Sequence, residues 1–208
     1  MDGLVAKGTV SGPDRISCAD PNPSAVAAAQ AKGYFASTSN VELLQQLQQQ
    51  EHRKQKVVLL IAVKPQYVES VCRDIATHVS SDGDGDDTLI ISVAAGVTLT
   101  TLQSALGDSR SRFRVVRVMP NTACLVGESA SGFSLGTWAT PEDKVIVETL
   151  FQSVGIALEQ KEELLNAVTG LCTYIRLRLL LLRGGGLLLD ACYRPTSPSS
   201  IVHIFIHT

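Results

Sequence analysis

Three apolar runs in the sequence each end in residues able to meet a ligand: Lys64-Pro65 after "KVVLLIAV", Ala94-Ala95-Gly96 after "TLIISV", and Asn121 after "RVMP". Ala62 and the Ala-Ala-Gly step carry so little side chain that a flat molecule can lie against the backbone. Lys64 adds a cation beside it and Asn121 an amide. The pattern is one for binding and orienting a ligand, and it assigns no catalytic nucleophile. Each piece also has a plainer reading: a solvated surface lysine, a tight turn packed on a helix, and an asparagine bracing its own turn. Three such ends on one edge would favour the ligand.

Whether they share an edge depends on the elements that carry them. "RISCAD" is predicted as a short strand, followed by a helix over "PSAVAAAQAKG" with Ser24 as its cap and Gly33 past its end. "YFAS" reads as a weak strand, and Asn40 as the cap of a helix carrying Val41, Leu44 and Leu47. "KVVLLIAV" reads as a buried strand by length and β-branching. A residue before proline is driven out of the α region, so Lys64 should stay extended while Pro65 opens a helix with Val68, Val71, Cys72, Ile75 and Val79 inward. "SSDGDGDD" is a loop, "TLIISV" a strand, and Thr98 caps a helix with Leu99, Leu102 and Leu106. After the strand "FRVVRV", Thr140-Pro141-Glu142-Asp143 approximates a capping box for a helix ended by Gly155. Nearly continuous apolar strands separated by one-faced helices are what a parallel sheet covered on both sides requires. The expected fold is α/β and doubly wound, with ligands bound beyond the carboxyl ends of its strands.

Composition limits the ligand only by exclusion. With 18 Lys+Arg against 20 Asp+Glu, no charge excess points to nucleic acid or a membrane surface. The five cysteines are scattered and never form a C-x-x-C pair, so neither a disulfide framework nor a zinc site is signalled, and a reducing, cytoplasmic location is expected. "MDGLVAKG" has neither a signal-peptide core nor the Arg/Ser-rich look of a transit peptide. From residue 172 the style changes: "LRLLLLRGGGLLL" has no period, and Arg178 and Arg183 break it well short of the roughly 20 residues that span a bilayer. His203 and His207 stand four apart, but two ligands on a β-branched tail do not make a metal site. A disordered or loosely packed tail is the expectation.

Taken together, "VVLLIAVKPQ", "ISVAAGVTLTTLQSALG", "VVRVMPNTACLVGE" and "ELLNAVTGL" resemble the pyrroline-5-carboxylate reductases, in that order and at that spacing, from about Met1 to Leu171. The resemblance implies a Rossmann-type domain over 1–160 that binds NADPH or NADH, the start of a helical dimerising domain over 161–171, and a divergent tail over 172–208. It implies reduction of the small molecule 1-pyrroline-5-carboxylate to L-proline in amino-acid biosynthesis, by a homo-oligomer. Ala62, Val63, Lys64 and Pro65 would line the nicotinamide side, Val93, Ala94 and Ala95 the pyrophosphate–nicotinamide region, and Asn40 the adenosine end. Asn121 and Thr169 would face the substrate. Asp20 falls where an acidic side chain can bond a ribose 2′-hydroxyl and repel a 2′-phosphate, which favours NADH; its plainer reading is a turn residue ahead of Pro21. A hydroxy-acid dehydrogenase is a weaker alternative, disfavoured by "AVKP" and "RVMPNT".

Two departures from the family matter. In the family a strand and a G-x-G-x-x-G turn precede the helix that "MDGLVAKG" resembles, so the expected sheet lacks its first, central strand and leaves its neighbours with bare edges. Beyond Thr169 and Gly170 the sequence loses the family pattern and with it the dimerisation domain, which suggests a changed reading frame, a retained intron or an alternative exon at residue 172; a transcript colinear through that codon into a family-like helical domain would refute this. A chain shortened in both places is expected to bind cofactor feebly and to be catalytically inactive.

Overall fold

The structure is a computed structural model that describes residues 1, 4–5, 7–50, 57–79, 88–107, 113–165 and 201–206, with backbone alone for 47–50, 122, 125 and 201–206. Strands β1 (Ile16–Ala19), β2 (Phe35–Ser37), β3 (Val57–Ala62), β4 (Thr88–Ser92), β5 (Arg114–Met119), β6 (Ser129–Leu135), β7 (Gly155–Glu159) and β8 (Ile201–Ile206) form one sheet in the order β2-β1-β8-β3-β4-β5-β6-β7. From β2 to β5 every pairing is parallel; β6 runs against β5, and β7 follows β6.

Alternating side chains explain why the central strands read as unbroken apolar runs. Leu59, Ile61, Ile90 and Val115 enter one core with the helices α2 (Asn40–Gln50), α3 (Val68–His78) and α4 (Leu99–Ala105). Val58, Leu89, Ile91, Val116 and Val118 enter a second core on the other face, with α1 (Pro23–Ala31) and α5 (Pro141–Gln152). Both faces are dry, as a doubly wound sheet demands. The winding reverses between β1, which leads outward to β2, and β3, which leads the other way to β4 and β5.

That reversal is where the structure departs furthest from expectation. The neighbours of the missing central strand are not left bare: β8, from the divergent tail, lies between them, its residues 202–205 against Ile16–Ala19 and its full length against Val57–Ala62. Part of the tail expected to be loosely packed is thus central strand. β6 and β7, which no periodicity announced, complete the far side.

Helix starts were legible to within a residue or two. Asn22, not Ser24, caps α1: its side chain accepts from the Ser24 N–H while Pro23 takes the first turn. Ser39, not Asn40, caps α2, its carbonyl accepting from Leu43 N at 3.3 Å and its hydroxyl from Glu42 N at 3.4 Å. Thr98 caps α4 and Thr140 with Asp143 forms a full capping box on α5, as expected. Asp143 is also gripped by Arg114 of β5 at 3.0 Å, which ties α5 to the sheet. α5 ends at Gln152, and Gly155 opens β7 instead of closing the helix.

The buried stripe of α3 carries a testable pH dependence. Burial, with help from the Glu69 charge, pushes the Cys72 thiol from its ordinary 9.0 up to about 12. A raised folded-state pKa means that the folded state keeps its proton after the unfolded chain has lost it. The associated stability is therefore full below about pH 9 and declines as the pH climbs toward 12. Thermal melts across that window should fall more steeply for the unmodified protein than for Cys72→Ala; parallel slopes would contradict the assignment.

Candidate functional site

Because β1, β3, β4 and β5 are parallel, with β8 paired between β1 and β3, the segments that follow those four strands emerge on one edge of the sheet. From the tip of β1 to that of β5 is four strand spacings of about 4.8 Å, a line of roughly 19 Å. Asp20 follows β1, Ala62 ends β3 with Val63, Lys64 and Pro65 after it, Val93, Ala94 and Ala95 follow β4, and Asn121 follows β5 by two residues. Asn40, at the start of α2, lies beyond the tip of β2. The proposed positions therefore share an edge. Thr169 lies outside the described residues.

The β3 tip is built as its sequence demands. Lys64 is extended, at φ −62° and ψ 147°, and its carbonyl accepts from Tyr67 N at 2.9 Å, closing a 3-10 turn over Pro65–Tyr67 that runs into α3. Lys64 and Pro65 are exposed, Ala62 is half-buried, and Val63 is packed in the core. Only the backbone of Val63 remains for a ligand.

At the β4 tip the Val93 N–H donates to Ile61 O at 3.0 Å, so the pairing of β3 and β4 continues one step past the strand. Ala94 is core and donates its N–H to the Ser92 hydroxyl at 3.3 Å; Ala95 and Gly96 face solvent. Gly96 turns at φ +76°, and a methyl built there would meet nothing within 4 Å. The backbone here lies open to a ligand, with only small side chains beside it.

The outer residues are more committed. Asp20 is buried, and its Oδ1 accepts from Asn22 N at 2.8 Å, so one carboxylate oxygen performs the turn role ahead of Pro21. Asn121 accepts from Ala130 N at 3.3 Å and thereby braces the start of β6. The plainer reading of both side chains is thus realised in part. Beyond Asp20, at the edge of the sheet, the β2–α2 turn is laced by Ser37, whose hydroxyl accepts from Ser39 N at 3.0 Å and bonds the Glu42 carboxylate.

One arrangement escaped the sequence reading. Glu162 Oε1 accepts from Leu99 N at 2.7 Å, at the start of α4, and pairs with Arg117 Nη1 of β5 at 3.1 Å. The Arg117 side chain is 2 % exposed, deep enough that its charge requires a counter-ion. An arginine between valines in a strand buried on both faces was the available signal. Its partner, 45 residues away, was not.

No family model matches the sequence. Individual relatives do. A pyrroline-5-carboxylate reductase of Methanosarcina acetivorans is 38% identical over 172 residues, 82% of this chain and 57% of that protein. The chain is a homologue of the pyrroline-5-carboxylate reductases. Solved reductases repeat its architecture: one from Coxiella burnetii superimposes with a TM-score of 0.68 at 26% identity, covering 88% of this chain and 63% of that one. Another, from Plasmodium falciparum and solved with NADP bound, gives 0.56 at 25% identity, over 83% and 70%. The chain spans about half the length of the curated reductases it matches. Among the described residues no helix is long and apolar enough to cross a membrane, and no cluster of side chains is suited to a metal.

Proposed function

We propose that residues 1–160, completed by β8, are the dinucleotide-binding unit of a pyrroline-5-carboxylate reductase, that 161–171 lead toward its helical part, and that the strand tips hold NADPH or NADH. The observation that carries this reading is the single line of tips from Asp20 to Asn121, with open backbone at Ala95-Gly96. Small side chains and the exposed main chain at Ala95-Gly96 fit a pyrophosphate and a flat ring. When bound, such a cofactor supplies the hydride. The chain's own residues orient two planar rings: Ala62, Lys64 and Pro65 beside the nicotinamide, the backbone of Val93–Ala95 beside the pyrophosphate, Asn40 and Asp20 toward the adenosine.

The substrate of the whole reductase is 1-pyrroline-5-carboxylate, whose C=N carbon accepts the hydride while the protonated ring nitrogen takes the electron pair, yielding L-proline. The 208 residues contain no G-x-G-x-x-G turn. We therefore expect weak, saturable cofactor binding and no measurable pyrroline-dependent oxidation of NADPH or NADH by this chain. Turnover in that assay would overturn the expectation of inactivity and leave the binding site standing.

Asp20 sets a further expectation. Asp20→Ser keeps an acceptor for the Asn22 N–H and removes the charge that would repel a 2′-phosphate. Paired titrations should show the NADPH-to-NADH affinity ratio rising about tenfold, or ~1.4 kcal/mol. An unchanged ratio would confine Asp20 to its turn.

A further inference from the structure

The order β2-β1-β8-β3-β4-β5 has a mechanical consequence. Among the described residues no main-chain pairing joins β1 to β3, and β8 is the strand that bridges them, bonded to both. The positions proposed for the cofactor straddle that bridge. Asp20 and Asn40 belong to the β1–β2 side, whereas Ala62–Pro65 and Val93–Ala95 belong to the β3–β5 side.

β8 is also the strand whose placement costs most chain entropy. Ile201 pairs with Val57 and Val202 with Ile16, the largest sequence separations in the sheet. Contacts of that kind form late, because loop closure precedes any return from them. The β3–β4–β5 block, by contrast, is built from neighbouring crossovers. Local openings follow such cooperative blocks.

We propose that β8 is a detachable keystone whose insertion is thermodynamically linked to dinucleotide binding. With β8 paired, the adenosine side and the nicotinamide side stand in one register. With β8 out, the β1–β2 pair is held to the rest only by its chain link through α2 and by side-chain packing, and the line of tips is broken. A ligand that bridges both sides binds only the closed form and so suppresses opening. The linkage rests on the cofactor reading; the keystone role does not.

Hydrogen exchange on the full chain tests both. Without ligand, peptides covering 16–19, 35–37 and 201–206 should exchange together, and sooner than those covering 89–91 and 115–118. NADH or NADPH at ten times its Kd should slow that joint exchange about tenfold and leave β4 and β5 unaffected. Persistent protection of β1 and β2 while 201–206 exchanges overturns the keystone, and ligand that slows every strand alike, or none, overturns the linkage. If neither dinucleotide binds, the cofactor reading and the linkage fall together, and the ligand-free pattern still decides the keystone. Ile204→Pro removes a ladder N–H from the middle of β8. This variant should lose dinucleotide binding while β4 and β5 stay protected; retained binding would overturn the linkage.

Discussion

Gly155→Ala is expected to be the most damaging single substitution at any described glycine. Gly155 sits at φ +154°, where side-chain-bearing residues are strained, and a Cβ there would lie 2.0 Å from Ser129 O and 2.3 Å from Ser129 N. Those atoms are backbone and cannot rotate away. Ser129 N is already committed to Val154 O at 2.7 Å, and Ser129 and Ser131 share a buried hydroxyl bond, so moving the strand breaks β6 against β7. A loss of about 4 kcal/mol or more is expected, against a total of roughly 5–15 for a domain. In a chain of this size that lowers Tm by on the order of 10 °C. Gly8→Ala is the control: φ is +68° with nothing within 4 Å, so only the conformational cost of about 1 kcal/mol should appear. Equal melts for the two variants would contradict the close approach.

Glu162→Ala should come next, and it should act on stability and cofactor affinity together. The substitution removes an acceptor from Leu99 N and a counter-ion from a guanidinium that solvent barely reaches. Breaking one partner out of a buried pair costs about 3 kcal/mol or more, whatever the pair itself contributes. Glu162→Gln keeps an oxygen for the amide and loses the charge, so its cost should fall between. The Val93–Val97 turn lies between β4 and the helix whose first amide Glu162 holds. Loosening that amide should therefore weaken dinucleotide binding beyond what residual unfolding explains. Denaturant titrations give the first effect and binding under fully folded conditions the second. A destabilised variant with unchanged affinity would reduce Glu162 to a structural strut.

The parts of this fold that the sequence announced are those in which one residue pattern has one solution. "KVVLLIAV" and "TLIISV" can be dry on both faces only inside a covered sheet, and Lys64-Pro65 can only be extended and then helical. Caps were misplaced at Asn22 and Ser39 because several polar residues stand together, and composition does not say which one leaves the helix. Ser39 with Glu42 was a readable S-x-x-E pair all the same. β6 was hidden because "SASGFSL" buries three serines, Ser129 and Ser131 sharing a hydroxyl bond, and serines resemble loop residues in sequence. β8 was hidden because its partners lie in the first third of the chain. The same distance concealed Glu162 from Arg117. The candidate site was legible in its order along one edge; the turn roles of Asp20 and Asn121 required coordinates.

The central claim is that the strand tips form one shelf for a dinucleotide, and fluorescence titration of NADH or NADPH against the wild-type chain and Ala95→Glu tests it most directly. Ala95 is exposed, so the new side chain should leave the melt unchanged while bringing bulk and negative charge to the pyrophosphate position. The account predicts weak, saturable binding to the wild type and at least a tenfold loss in the variant, or ~1.4 kcal/mol. Equal affinity in both, or no saturable binding to the wild type at millimolar dinucleotide, would contradict it.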